Sequence, residues 1–201
     1  MRAGYANLIV KAGEHNKSEV FYEYDKAIEC LSRLYSFAHS PPHDDIEIQT
    51  RLERFAKDDF LNFAVHARRL FEISNLFALA KAARVPSCRF VKAGDIVSKK
   101  LIRPGETVWK IINAAVHHNT MHIWNADWQI RAWLFPDKDR KFLFLEREYF
   151  PPTIVFVSDK TKLLNFDLRA FIKVFNTEVF EPLVEALSEH GVYVELDMRE
   201  F

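Results

Sequence analysis

The chain has 201 residues, 49% hydrophobic and 28% charged, with 28 acids balancing 28 bases. That is enough apolar material for one core of domain size and excludes a wholly disordered chain. Zero net charge excludes global attraction to nucleic acid or to an anionic membrane, and leaves only a local patch open to either.

At the start of the chain, Leu8–Val10 is a short apolar patch without the length of a signal-peptide core, and no apolar run reaches the ~18 residues of a membrane span. A soluble, cytoplasmic protein is expected. "SEVFYEYDKAIECLSRLYSFAHS" is the first periodic segment. Phe21, Ala27, Ile28, Leu31, Leu34 and Tyr35 recur near helical spacing, and Ser18 can cap the start. "SPPHDD" stops the helix, because consecutive prolines cannot continue it, and Asp44 or Asp45 can cap the next. The longest helical pattern runs from Asp45 to Arg84, as one bent helix or two with a joint near Lys57–Asp59. Phe60, Phe63, Ala64, Ala67, Leu70 and Phe71 share one face, Asn62 and Arg69 lie opposite, and His66 falls at the border. The acid pairs of "HDD" and "KDDF" are expected at helix starts, where carboxylates favour the dipole.

"VPSCRFVKAGDIVSKKLIRPGE" shows little periodicity and reads as irregular. Its Cys88, like Cys30, is an isolated thiol: there is no CxxC for a disulfide framework or a zinc knuckle. The chain has 5 glycines and no GxGxxG or GxxxxGK[ST], so a phosphate loop is excluded. A third helix is predicted over "PGETVWKIINAAVHHNTMHIW", with Pro104 and Glu106 suited to its start. After Asn125 the texture changes. "WQIRAWLF" and "KFLFLEREYF" flank "PDKDR" as a hairpin, and "PPTIVFVSDK" is a further strand. "NFDLRAFIKVFNTEVFEPLVEALSEHG" reads as a long amphipathic helix, kinked by Pro182 and closed by Gly191, before a last strand, "VYVELDM". The expected fold is α+β: an N-terminal helical bundle over residues 1–125, and a smaller C-terminal lobe over 126–201 with a short β-sheet and a long helix, packed on it.

Three of the 8 histidines lie in "NAAVHHNTMHIW". On a helix turning about 100° per residue, Val108, Ile111, Ile112, Ala115, Val116 and Ile123 form an apolar face. Asn119 falls at its centre, His122 inside its edge and His118 at its border, while His117 points away into solvent. Inward polar groups must find partners, since an unpaired one costs about 1–3 kcal/mol. His118, Asn119 and His122 therefore predict a buried or cleft-lining polar network. The bland alternative is imidazole bonded to a carbonyl or carboxylate within a helical core.

"DDFLNFAVHARRLFE" followed by "IINAAVHHN" resembles bacterial proteins related to HEPN domains, over Asp58–Asn119. The resemblance implies a helical domain that binds RNA or a nucleotide, commonly as a homodimer, with metal-independent ribonuclease activity in its catalytic members and no cofactor. It places Asn113 at the polar position and His118 as general acid/base for cleavage at a 2′-hydroxyl. His66, Arg68, Glu72 and Asn119 would line the binding site. Ile112 stands where the nuclease form carries arginine, so Arg69, or Arg68, is the candidate for stabilising a scissile phosphate. A competing reading starts from "HNTMH", an HxxxH that resembles DinB-like metal-binding bundles. It implies a divalent transition metal held by His118, His122 and His66, with Glu72 or Glu53 as alternative donors. A third reading is an interaction module that presents Trp124, Trp128 and Trp133 to a protein partner.

Overall fold

In the computed structural model, which describes residues 14–74, 77–88, 91–92, 102–117, 121–125, 143–144, 153–159 and 162–189, two long helices come first. They are α1 (Glu14–His39) and α2 (Ile46–Ser74). α1 is already helical before Ser18, so that serine is not its cap. Pro41 and Pro42 separate the pair, and Asp45 Oδ1 caps α2 by accepting from the Glu47 and Ile48 N–H groups at 2.8 and 3.3 Å. α2 runs through Lys57–Asp59 without a joint. Asp59 therefore caps nothing; it accepts from Arg33 Nε across the helix pair at 2.7 Å. The six residues that the spacing put on one face, Phe60 to Phe71, are all 0% exposed. Asn62 and Arg69, opposite them, are exposed.

Three cross-helix pairs fix the antiparallel register: Glu19–Arg69, Glu23–His66 and Arg33–Asp59. As the α1 number rises the α2 number falls.

The segment expected to be irregular holds short strands. After α3 (Phe77–Ala82) come β1 (Arg84–Cys88), β2 (Val91–Lys92) and β3 (Ile102–Thr107). β1 pairs with β3 antiparallel, with a register shift between Val85 and Ser87. Pro86 and Gly105 interrupt the alternation that would have marked them as strands. Pro104 and Glu106 thus lie in β3 rather than starting a helix. The cap is Thr107, whose Oγ1 accepts from the Lys110 N–H at 3.2 Å and opens α4 (Val108–Val116).

The predicted continuation of α4 does not occur: Met121–Asn125 is strand β4. β4 pairs with β6 (Thr153–Asp159), and β6 with β7 (Lys162–Asp167), both antiparallel. Met121 and Ile123, Val155 and Val157, Leu164 and Phe166 are buried at alternate positions, so one sheet face packs inward. β7 occupies the first part of the predicted long helix. That helix begins at Leu168 as α5 (Leu168–Phe175), capped by Asp167, passes through a π-turn (Asn176–Phe180) and continues as α6 (Glu181–Glu189). Pro182 follows the π-turn directly in this continuous helix and has no N–H to give its ladder. β5 (Leu143–Phe144), from the predicted hairpin, pairs with β2. The rest of that hairpin, Gly191 and "VYVELDM" lie outside the described residues.

The fold is α+β. Its core is a phenylalanine cluster drawn from α2 (Phe60, Phe63, Phe71), β7 (Phe166), α5 (Phe171, Phe175) and the π-turn (Phe180). The end of α1 is tied to the later segment at one atom: the Ala38 carbonyl accepts from Arg169 Nε at 2.7 Å and from Thr153 Oγ1 at 3.5 Å. A last-turn carbonyl has no intrahelical partner, and Arg169 supplies one. No described helix is long and apolar enough to cross a membrane.

Candidate functional site

α2 carries His66, Arg68, Arg69 and Glu72, and it packs between α1 and α4. His66 and Arg68 are two residues apart, about 200° around the helix, so they serve different neighbours. His66 Nδ1 donates to Glu23 Oε2 at 2.7 Å, and Arg69 Nη2 donates to Glu19 Oε1 at 2.7 Å. Both are rungs of the α1–α2 charge ladder. The cation expected at the scissile phosphate, Arg69, is thus turned toward α1, away from α4.

Arg68 faces α4. Its Nε donates to Glu72 Oε1 at 2.9 Å, and its Nη1 donates to His117 Nε2 at 2.6 Å. A guanidinium has only donors, so His117 accepts here and its ring proton sits on Nδ1. His117 is the C-cap of α4, where its N–H donates to the Asn113 carbonyl at 3.2 Å. Asn113, half-buried, stands one turn earlier. Two of the five guanidinium N–H donors are engaged by Glu72 and His117. The remaining donors and the Nδ1–H of His117 suit an oxyanion.

The histidine that meets the arginine is therefore the one the helical wheel turned away. The wheel assumed a helix through Trp124, and α4 stops at Val116. His117 has already left helical geometry, with φ −108° and ψ 15°, and its side chain follows the turn. His118 and Asn119 lie outside the described residues.

The same helix end removes the i,i+4 face on which the HxxxH metal reading stood. His122 lies on β4, half-buried, where the Lys57 ammonium acts on it. Lys57 precedes His66 by about 13 Å of helix, and His66 is already held by Glu23. The other proposed donors are occupied as well: Glu72 accepts from Arg68, and Glu53 accepts from Gln49 Nε2 at 3.1 Å. Among the described residues no three His, Cys, Asp or Glu side chains gather as a metal site would require. Of the tryptophans, Trp109 is half-buried and packs edge-on against Phe77, 4.7 Å between ring centroids. Trp128 and Trp133 lie outside the described residues.

Burial pushes the His122 pKa below the ordinary histidine value, and Lys57 acts in the same direction. The unfolded chain then binds the proton more tightly than the folded one, so stability is retained above the unfolded value of about 6.5 and falls as the pH drops below it. Thermal melts from pH 7.5 to 5.5 should show a loss for the wild type that is smaller in His122→Gln. Equal slopes in the two proteins would remove His122 as the source.

No family model, curated protein or solved structure matches the chain.

Proposed function

We propose that the junction of α2 and α4 binds a phosphate of single-stranded RNA or of a nucleotide, as a HEPN-like domain would. The observation that carries this reading is the Arg68–His117 contact, 2.6 Å between side chains 49 residues apart in the chain, beside Asn113. It supports an arginine-plus-histidine phosphate site at the place where the sequence resemblance put a polar residue and a histidine. Arg68 takes the role that Ile112 vacates. His117 is the phosphate-facing imidazole, and His118, its neighbour, is the other candidate for proton transfer at a 2′-hydroxyl.

The local charge sets the class of ligand. Glu19, Glu23 and Glu72 are paired with Arg69, His66 and Arg68, so this is not the basic stripe of a duplex binder. One phosphate that displaces Glu72 from Arg68 fits better than a long polyanion. A cytoplasmic setting and a homodimer go with this reading through the family resemblance.

The test is binding of a short single-stranded RNA at low salt, followed by fluorescence anisotropy. Arg68→Ala should weaken binding about tenfold, the loss of one charge-assisted hydrogen bond. Glu72→Gln should tighten it by releasing Arg68. Arg69→Ala, a ladder residue, should leave it within about twofold. Identical affinity of wild type and Arg68→Ala would sink the proposal. Cleavage that survives a chelator and disappears in His117→Ala or His118→Ala would extend it to a ribonuclease.

A further inference from the structure

We infer that the cleft between the end of α1 and the α5–π-turn segment is a separate ligand site, with the chemistry to take a purine nucleoside monophosphate of the adenine type. It lies about 24 Å along α1 from Glu23, remote from the Arg68–His117 contact. The cavity measures about 490 Å³, inside the range of about 300–1,000 Å³ usual for small-molecule sites.

Asn176 carries the argument. It lines the cleft, is 7% exposed, and its Oδ1 has no hydrogen-bond donor. Buried amide oxygens are nearly always satisfied, so an unsatisfied one calls for a partner. Asn176 lines the cleft, and the broad terminal torsion of asparagine lets its carboxamide turn toward a ligand there. An asparagine amide matches the N6/N7 edge of adenine, accepting from the exocyclic amine and donating to the ring nitrogen. Asn176 also opens the π-turn, an irregularity that recurs at functional sites.

The other walls supply what the rest of such a ligand needs. Tyr35 and His39 lie stacked, centroids 4.0 Å apart and planes 30° apart, and an outer ring face of that stack is what a base would stack on. The His39 ring is held by its Nδ1, which donates to the Tyr35 carbonyl at 2.9 Å. On α5, Arg169 is anchored through Nε to the Ala38 carbonyl, and Lys173 takes part in none of the ion pairs among the described residues. These two cations suit a phosphate. Asp167 also lines the cleft, where its carboxylate accepts from the Arg169 N–H at 2.9 Å. Glu181, exposed, is the second carboxylate of the lining.

The experiment is calorimetric titration of the full chain with adenosine monophosphate, guanosine monophosphate, adenosine and inorganic phosphate. Adenosine monophosphate should bind. The guanine nucleotide should bind at least about tenfold more weakly, because its O6 would face Asn176 Oδ1, acceptor against acceptor. Lys173→Ala, a surface change, should weaken the nucleotide about tenfold and leave adenosine unaffected. Asn176→Leu should abolish binding while raising Tm by about 2–4 °C, since it removes an unsatisfied buried oxygen. In an Arg68→Ala background, which removes the phosphate contact at the α2–α4 junction, the nucleotide should still bind and Lys173→Ala should still weaken it about tenfold. No binding at millimolar adenosine monophosphate would overturn the site. So would binding lost in Arg68→Ala but kept in both cleft variants, which would place the nucleotide at the α2–α4 junction. Equal affinity for the guanine nucleotide would overturn the role given to Asn176.

Discussion

Phe171→Ala is expected to lower the free energy of unfolding by about 3–5 kcal/mol, the range for deleting a buried aromatic ring. Phe171 is 0% exposed. Its ring meets Phe60 at 5.3 Å, Phe63 at 5.7 Å, Phe166 at 5.3 Å and Phe175 at 5.9 Å, centroid to centroid. Those partners come from α2, β7 and α5, so one side chain joins the N-terminal helix pair to the later sheet and helix. The edge-on and tilted geometries add about 0.5–1.5 kcal/mol per pair beyond area burial. The surrounding rings are rigid and cannot collapse into the hole, which puts the cost toward the upper end of the range. A domain of ordinary stability, about 5–15 kcal/mol, would lose a large share of it. The measurement is urea denaturation at 15 °C, with a Tm shift of about 10 °C as the companion readout. Phe171→Leu, which keeps most of the volume, should lose markedly less. A loss below about 1 kcal/mol for the alanine variant would mean that the cluster is not the packed junction described.

The second large effect concerns Gly105. A Cβ there would sit 1.8 Å from the Val85 carbonyl oxygen, 2.3 Å from the Val85 carbonyl carbon and 2.9 Å from Pro86 N. All three are backbone atoms of the paired strand, so no rotamer change relieves the overlap. β1 and β3 must separate or shift. Glycine is required here for space, at the place where the β1–β3 register shifts. Gly→Ala at a tolerant position stabilises by about 0.4–1 kcal/mol, because it restricts the unfolded chain. At Gly105 the sign should reverse, with a net loss of about 2–3 kcal/mol, the scale of overpacking a close contact. Denaturant melts of Gly105→Ala decide this. A variant as stable as the wild type would show that the strands have room the structure does not give them. The consequence reaches the candidate site, because β3 ends at Thr107, the cap of α4, and α4 carries Asn113 and His117.

Much of the helical part was legible in the sequence for a local reason. The face from Phe60 to Phe71 follows from spacing alone, because a helix sets side-chain direction by angle per residue. The stop at Pro41–Pro42 and the cap at Asp45 follow from missing N–H groups and a short carboxylate. β6 was legible because "TIVFVSD" is rich in β-branched and apolar residues and follows two prolines. The α+β class followed from the change of texture after Asn125.

The rest was decided by residues distant in sequence. "MHI" within "TMHIW" fits both a helical face and a strand, since Met121 and Ile123 alternate as well as they turn. Pairing with β6 settles it, and β6 lies some thirty residues away. That choice ended α4 at Val116, moved His122 off the helix, and turned His117 toward Arg68. β7 was hidden in the same way: "LLNFD" looks helical until β6 supplies its ladder. The pairing of His66 with Glu23, of Arg68 with His117, and the burial of Asn176 beside the end of α1 are likewise contacts between elements. By itself the sequence determined which faces are apolar and where helices must break, because those depend on neighbours within a turn. Only the tertiary structure decided which polar groups meet, because strand hydrogen bonds and helix crossings form between segments whose separation no local period records.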